Sequence, residues 1–284
     1  MTQSETQWKS PLATLPGAVA LEDVEGDVTF GVTAHYGDPS GEQWALEAGR
    51  AITDRCDLAV VEVSGPDRLT WLTSISSQVL TGMTPGESRE LLILNPQGHI
   101  EHACGAIDDG EILYLITEAS DAQALADWLN SMRFALRVEI TISQRWWLIG
   151  SMGDSGVSQC DQVALTWNDP WPGVVDGGAA YYQGKHPGES LAFHIHLVPR
   201  QQAQEFWRVW SEGAPKRRAA GIAAWEATRI AAWRPRLGHE TDARSMPAEL
   251  DWLRTAVHTN KGCYRGQEAV ARILNLGRPA RRLV

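Results

Sequence analysis

Apolar and polar positions change rhythm repeatedly along this chain, and the changes mark out its elements. Residues 1–40 are rich in Gly, Pro, Thr and acidic groups and lack a clear period. They read as an extended arm with one strand over Val28–Thr33. From Glu42 to Thr53 the spacing of Trp44, Ala45, Ala48 and Ile52 puts them on one helical face. Leu58–Val63 is a short apolar block and reads as a strand. The turn Ser64-Gly65-Pro66-Asp67 then leads into a helix carrying Leu69, Leu72, Ile75 and Val79. Leu91–Leu94 and Ile100–Ile107, separated by Asn95-Pro96-Gln97-Gly98, read as a hairpin. Asp108-Asp109-Gly110 turns the chain into a third strand at Ile112–Thr117. A helix over Ala122–Arg133 and a strand over Leu136–Ile142 complete a compact α+β unit.

Trp146-Trp147-Leu148-Ile149-Gly150 opens a second strand-rich region. A loop rich in Pro, Gly and Trp spans Asn168–Gly178, and Leu191–Val198 is a strand. Helical spacing returns at Gln201–Glu212, with Phe206, Trp207, Val209 and Trp210. An alanine-rich helix is expected over Arg218–Trp233, ending before Pro235. Residues 234–262 carry much Arg, His, Pro and Gly with little pattern, and long connections of this kind are often functional. The division that follows is an N-terminal arm (1–40), a first α+β subdomain (41–145) and a second (146–284).

At 284 residues, with 43% hydrophobic and 21% charged positions, the chain has the make-up of a globular protein. No apolar run approaches the ~20 residues of a membrane span, and no secretory signal opens the sequence. The four cysteines, Cys56, Cys104, Cys160 and Cys263, are widely spaced. That spacing argues against a zinc site or a disulfide scaffold and points to a reducing cytoplasm. The net charge of −10 is uneven, because the stretch from Pro215 onward holds 14 Lys and Arg against 6 Asp and Glu. Two explanations stand side by side: a local anionic partner, or arginines that pair with the acidic part of the same chain.

The richest chemistry lies in Lys261-Gly262-Cys263-Tyr264-Arg265-Gly266-Gln267-Glu268. One thiol sits among glycines, flanked by Lys261 and Arg265, just ahead of a helix starting near Ala269. Such surroundings favour thiolate chemistry, and glycine permits tight turns or close approach to a ligand. Glu268 and Gln267 could orient the thiol or simply occupy a first helical turn. Lys261 could bind an anion. His194 and His196 alternate on one strand face but lack a third ligand at matching spacing, so no metal site is assigned. Trp225, Trp233 and Trp252 could offer a face for a flat heterocycle or serve as core.

The octet Lys261–Glu268 resembles the signature of the YgfZ-type folate-binding proteins, relatives of the glycine cleavage T-protein (aminomethyltransferase). Weaker likenesses precede it in the same order: Val60–Asp67 with Trp71-Leu72, Leu91–Ile100, and then Arg229, Arg234–Gly238, Glu240, Pro247 and Glu249. The resemblance runs from about Leu46 to Val284. Two departures separate the chain from the aminomethyltransferase itself. Glu101-His102 stands where that protein has an acidic pair, and nothing around His186–Glu189 matches its Arg-Thr-Gly-Tyr-Thr-Gly-Glu stretch. A third is the end of the chain, where Arg281–Val284 looks like the entry to a C-terminal β-barrel that is absent.

The resemblance implies a T-protein-like α+β fold of two intertwined α/β subdomains. It also implies a tetrahydrofolate-binding protein that supports iron–sulfur cluster assembly or repair, and through it cluster-dependent enzymes such as tRNA-modifying ones. Partners would be iron–sulfur assembly factors or client enzymes. In that reading Cys263, Lys261 and Glu268 carry the chemistry. Arg229, Trp225, Glu240, Gly262, Tyr264, Gly266 and Gln267 hold tetrahydrofolate or a one-carbon derivative, Arg229 by matching a carboxylate. One cysteine cannot hold a cluster alone. The rivals are a folate-dependent one-carbon transferase, an RNA-binding module, which no signature supports, and a thiol redox sensor without a nearby resolving cysteine.

Overall fold

The computed structural model describes residues 8–21, 32–182, 184–277, 279 and 281. The strands are β1 (Val19–Ala20), β2 (Thr33–His35), β3 (Ala51–Asp54), β4 (Leu58–Ser64), β5 (Ser88–Leu94), β6 (Ile100–Asp108), β7 (Ile112–Glu118), β8 (Glu139–Ser143), β9 (Trp146–Met152), β10 (Leu165–Asn168), β11 (Phe193–Pro199) and β12 (Arg218–Ala220). The α-helices are α1 (Pro39–Glu47), α2 (Arg68–Ile75), α3 (Ala122–Met132), α4 (Ala203–Glu212), α5 (Ile222–Ala231) and α6 (Gln267–Leu276).

Two five-stranded sheets form the body, in the orders β5-β6-β7-β4-β8 and β10-β11-β9-β3-β12. The first is antiparallel throughout. In the second, β12 runs parallel to β3 and the other pairs are antiparallel. Strand β3 precedes the whole first sheet in the chain but belongs to the second, and this interlaces the two halves.

The alternation of side chains along each strand builds the layers. On β5, Leu92 and Leu94 face the core between the sheets, while Leu91 and Ile93 face helices α2 and α3. On β9, Trp146, Leu148 and Met152 point into the inter-sheet core, and Trp147 and Ile149 meet Phe206 and Trp210 of α4. The same period places Glu90 of β5 with Leu92 and Leu94 on the inter-sheet side. Glycine lets bulky rings approach this interface: a Cβ on Gly150 would lie 2.4 Å from the Trp225 ring, and one on Gly105 would lie 2.8 Å from Trp167.

Several expected boundaries move. The helix expected to reach Thr53 ends at Glu47, and Ala51–Asp54 is β3. Gly49, at φ +67°, turns the backbone there, and the apolar Ala51 and Ile52 are buried in a strand instead. The helix expected from Arg218 to Trp233 starts only at Ile222, because Arg218–Ala220 pairs with β3. Gly221 marks the break; a Cβ there would meet the Ala34 carbonyl oxygen at 2.1 Å. Strand β10 was not expected, and β8 begins three residues later than the pattern suggested. Of the strand expected over Val28–Thr33, residues 28–31 lie outside the described residues; Val32 is buried ahead of β2, which Thr33 opens.

Gly150→Ala is expected to lower stability by about 1–3 kcal/mol through overpacking against Trp225, read as a lower urea midpoint at unchanged slope. A second expectation concerns Asp54, buried at the end of β3 and accepting a hydrogen bond from Trp147 Nε1 at 3.1 Å. Burial raises its pKa from 3.8 to about 6. The stability it contributes is full below its unfolded value and gone once the pH passes about 6. Asp54→Asn should therefore stabilise the protein at pH 7.5 by about 1–3 kcal/mol, with the gain vanishing in acid; equal midpoints at both pH values would contradict this.

Candidate functional site

The cysteine loop is seated on the β5–β6 turn. Asn95 Oδ1 accepts hydrogen bonds from the backbone N–H of Gln97 and His99, both at 2.9 Å, which closes that turn. Gly98 and Gly266, both at φ +81°, meet across the contact. A Cβ on Gly98 would lie 2.7 Å from Ala269 Cβ, and one on Gly266 would lie 2.5 Å from the Asn95 carbonyl oxygen. Gly266 is also the N-cap of α6, so the same residue ends the loop and starts the helix. Gly262, by contrast, faces open space. Cys263 is exposed, three positions ahead of that N-cap.

Both flanking cations are spent elsewhere. Lys261 Nζ donates to the carbonyl oxygens of Thr73, Ser76 and Gln78, the last at 3.1 Å. An ammonium has three N–H donors, so none remains for an anion. The carbonyls gather at and just beyond the C-terminal end of α2, where the helix dipole favours a cation. Burial pulls the Lys261 pKa down to about 8, and its Nζ lies 4.8 Å from the centre of the Tyr264 ring. Tyr264 is buried, and burial pushes its phenol up to about 12. Arg265 pairs with Glu101 at 2.9 Å. Glu268 is exposed in the first turn of α6, and the Gln267 backbone N–H donates to the Tyr264 carbonyl at 3.2 Å. Beside Glu101, His102 Nδ1 lies 2.9 Å from both carboxylate oxygens of Asp121.

Strand β6 leads from this loop to a central cavity. Ala103, Cys104 and Gly105 line it from one sheet; Trp167, Phe193 and Ile195 line it from the other. Its volume is about 100 Å³. Trp225 is 3% exposed and stacks on Phe193 with ring centres 3.8 Å apart. The Arg55 guanidinium covers Trp225 at 4.7 Å. Arg229 is bonded to Glu226 at 2.5 Å and to Glu240 at 2.8 Å. Three of the residues expected to hold a folate, Arg229, Trp225 and Glu240, thus occupy one neighbourhood and already have partners within the chain.

A lattice of buried charges surrounds them. Arg236 reaches Asp57 and Glu118 at 2.6 Å and Glu226 at 2.7 Å. Arg55 pairs with Asp57 at 2.9 Å. Arg234 reaches Glu90 at 2.6 Å and Asp169 at 2.8 Å. Burial drives the carboxyls of Glu90 and Glu118 upward, with their arginines pulling the other way. Burial also works against the Asp57 carboxylate, but Arg55 and Arg236 outweigh it and hold its pKa below the ordinary value. The surplus of basic residues from Pro215 onward is therefore largely matched inside the molecule. Of the lattice, Arg55, Asp57, Glu90, Glu118, Asp169 and Glu226 went unnoticed in the sequence. Glu90 could have been found as the one acid on the inner face of an apolar strand.

His194 and His196 do alternate on β11. His196 is buried between Ser151 Oγ and Thr166 Oγ1, each at 2.8 Å, and burial drops its pKa to about 3. Among the described residues no group of three or more His, Cys, Asp and Glu could hold a metal ion.

This architecture is similar to that of the glycine cleavage system aminomethyltransferase T from Bartonella henselae. The TM-score is 0.70 with 18% sequence identity, over 92% of this chain and 72% of that one. The fold is therefore T-protein-like. The sequence is also 23% identical over 245 residues to a chloroplastic protein of Arabidopsis thaliana whose name assigns it transferase activity provisionally. That match takes in 81% of this chain, which spans about half (54%) of the relative's length. No protein-family model matches the chain.

Lys261→Met is expected to cost about 2–3 kcal/mol, because three carbonyls lose a charged donor. Hydrogen exchange should speed up across residues 73–78 and in the cysteine loop. An unchanged denaturation midpoint would show that the ammonium does not anchor the loop.

Proposed function

We propose that this protein binds tetrahydrofolate, or a one-carbon derivative of it, and supports the assembly or repair of iron–sulfur clusters in the cytoplasm. Cluster-dependent enzymes, including tRNA-modifying ones, would be the beneficiaries, and iron–sulfur assembly factors or client enzymes the partners. The observation that carries the reading is the seating of Cys263. A T-protein-like fold presents this thiol on an exposed loop, and Lys261, Gly98 and Gly266 hold that loop in place. Among the described residues no helix is long and apolar enough to cross a membrane.

The lining of the central cavity suits the head of a folate in kind. Aromatic walls accept a flat ring, and buried carboxylates accept its N–H groups. In size it does not yet suit one. About 100 Å³ holds roughly three waters, against the ~300 Å³ and more of ordinary ligand pockets. Binding in this reading requires the inner lattice to give way at one point.

A folate-dependent aminomethyl or one-carbon transferase is the second reading, favoured by the likeness to the Bartonella enzyme. The half-buried His102–Asp121 pair speaks against it, since His102 stands where the resemblance places an acid. The two part on turnover: a transferase turns over aminomethyl or methyl groups with tetrahydrofolate, and an assembly factor does not.

Anaerobic titration with tetrahydrofolate, followed by tryptophan fluorescence and calorimetry, should show saturable binding at one site. Cys263→Ala should leave the fold and the titration intact while abolishing support of cluster enzymes in cells. Normal cluster-enzyme activity with that variant would remove the cysteine from the mechanism, and absence of binding to wild type would remove the folate.

A further inference from the structure

Arg234 is one of the side chains that line the cavity. Its Nε donates to Asp169 Oδ2 at 2.8 Å and its Nη2 lies 2.6 Å from Glu90 Oε1. Its Nη1 is buried without a hydrogen-bond partner, although the side chain as a whole is only 9% exposed. A buried donor left unpaired is unfavourable, so the closed arrangement is not the best this guanidinium could make. The backbone tells the same story. Trp233, immediately before it, sits at φ +56°, a conformation that favours glycine and is uncommon for a bulky residue.

The two carboxylates are built to receive N–H donors. Glu90 also accepts from Trp252 Nε1 at 3.0 Å and from Thr255 Oγ1 at 2.5 Å, which fixes its orientation. Asp169 Oδ1 accepts the Trp171 backbone N–H at 3.0 Å. Trp171 also lies beneath the Arg234 guanidinium, 5.0 Å from it. A guanidinium presents parallel N–H groups from one planar carbon. A 2-amino-4-oxopyrimidine presents the same edge, a ring N–H beside an exocyclic amine. The charges leave room for such a donor: the four lattice arginines 55, 229, 234 and 236 face six carboxylates, those of Asp57, Glu90, Glu118, Asp169, Glu226 and Glu240.

We propose that Glu90 and Asp169 form a subsite for the guanidine-like N–H edge of a 2-amino-4-oxopyrimidine, the ring that heads a pterin, and that Arg234 stands in for that edge when no ligand is bound. The identity of the heterocycle rests on the folate reading above. The Trp233–Arg234 turn swings out as the ring enters, exchanging an internal guanidinium for a neutral external edge with the same pair of N–H donors. Arg234 is thus a competitor of the ligand, and removing it strengthens binding.

The test uses the full chain, wild type and Arg234→Ala, titrated calorimetrically with pterin, with lumazine, which carries an oxygen in place of the 2-amino group, and with tetrahydrofolate. The expected result is pterin binding about tenfold or more tighter to Arg234→Ala than to wild type. Lumazine should bind the variant about tenfold or more weaker than pterin, and adding Asp169→Asn should erase the gain. Pterin binding equal to or weaker than wild type, or lumazine matching pterin, overturns the subsite. If Arg234→Ala does not fold, Glu90→Gln in the wild-type background decides. An affinity for tetrahydrofolate about tenfold or more lower supports the subsite, and an unchanged affinity overturns it. Wild type that binds tetrahydrofolate while Arg234→Ala gains nothing for pterin sinks the subsite alone. Failure of both proteins to bind any of the three sinks the folate reading with it.

Discussion

Arg236 lies where three carboxylates converge, and the balance of its charge governs how the two sheets can meet. Asp57 comes from the turn between β3 and β4, Glu118 from the end of β7 and Glu226 from α5. Its backbone N–H also donates to Glu240 at 2.9 Å. A buried ion pair gains little net stability over a well-packed apolar one, but a buried charge stripped of its partner is heavily penalised. The lattice therefore acts as a gauge. Any packing of the sheets that separates one of these elements from Arg236 leaves an unpaired charge in the core, and such packings are excluded. The apolar contacts around it supply the cohesion, and the lattice selects among the arrangements that cohesion would allow.

The elements with a clean period were legible in the sequence. The strands around Val60 and Leu92 and the helices around Leu125 and Phe206 follow directly from their spacing. Errors collected where local pattern and tertiary pairing disagree. Arg218–Ala220 is itself made of good helix formers, yet it is a strand because β3 offers an edge for it to join. Ile52 shares a helical face with Trp44 on paper, yet its stretch, Ala51–Asp54, is claimed by β9 and β12 in space. Propensity is a weak prior against a partner strand.

The cysteine loop was visible because its glycines, cation and thiol are contiguous. The charge lattice was not, because its members come from six separate elements and loops. What marks Glu90 or Asp169 is a neighbour far along the chain, and a single sequence carries no record of that neighbour. Lys261 shows the reverse case. Its position beside a thiol suggested an anion site, whereas its ammonium reaches back to carbonyls near α2, nearly two hundred residues earlier.

Strand β3 has a consequence for how the chain is made. The sheet from β4 to β8 is continuous in sequence and can close once Ser143 has emerged. Ile52 is synthesised before any of it, yet its neighbours across the ladder are Ser151 on one side and Ala219 on the other. During synthesis the first sheet can therefore be complete while β3, already outside the ribosome, still offers both edges to any passing strand. Non-local pairing of this kind is slow and exposed to wrong partners. For this chain the hazardous interval is the passage from Asp54 to Ala220, and a holding chaperone would be most useful over that interval.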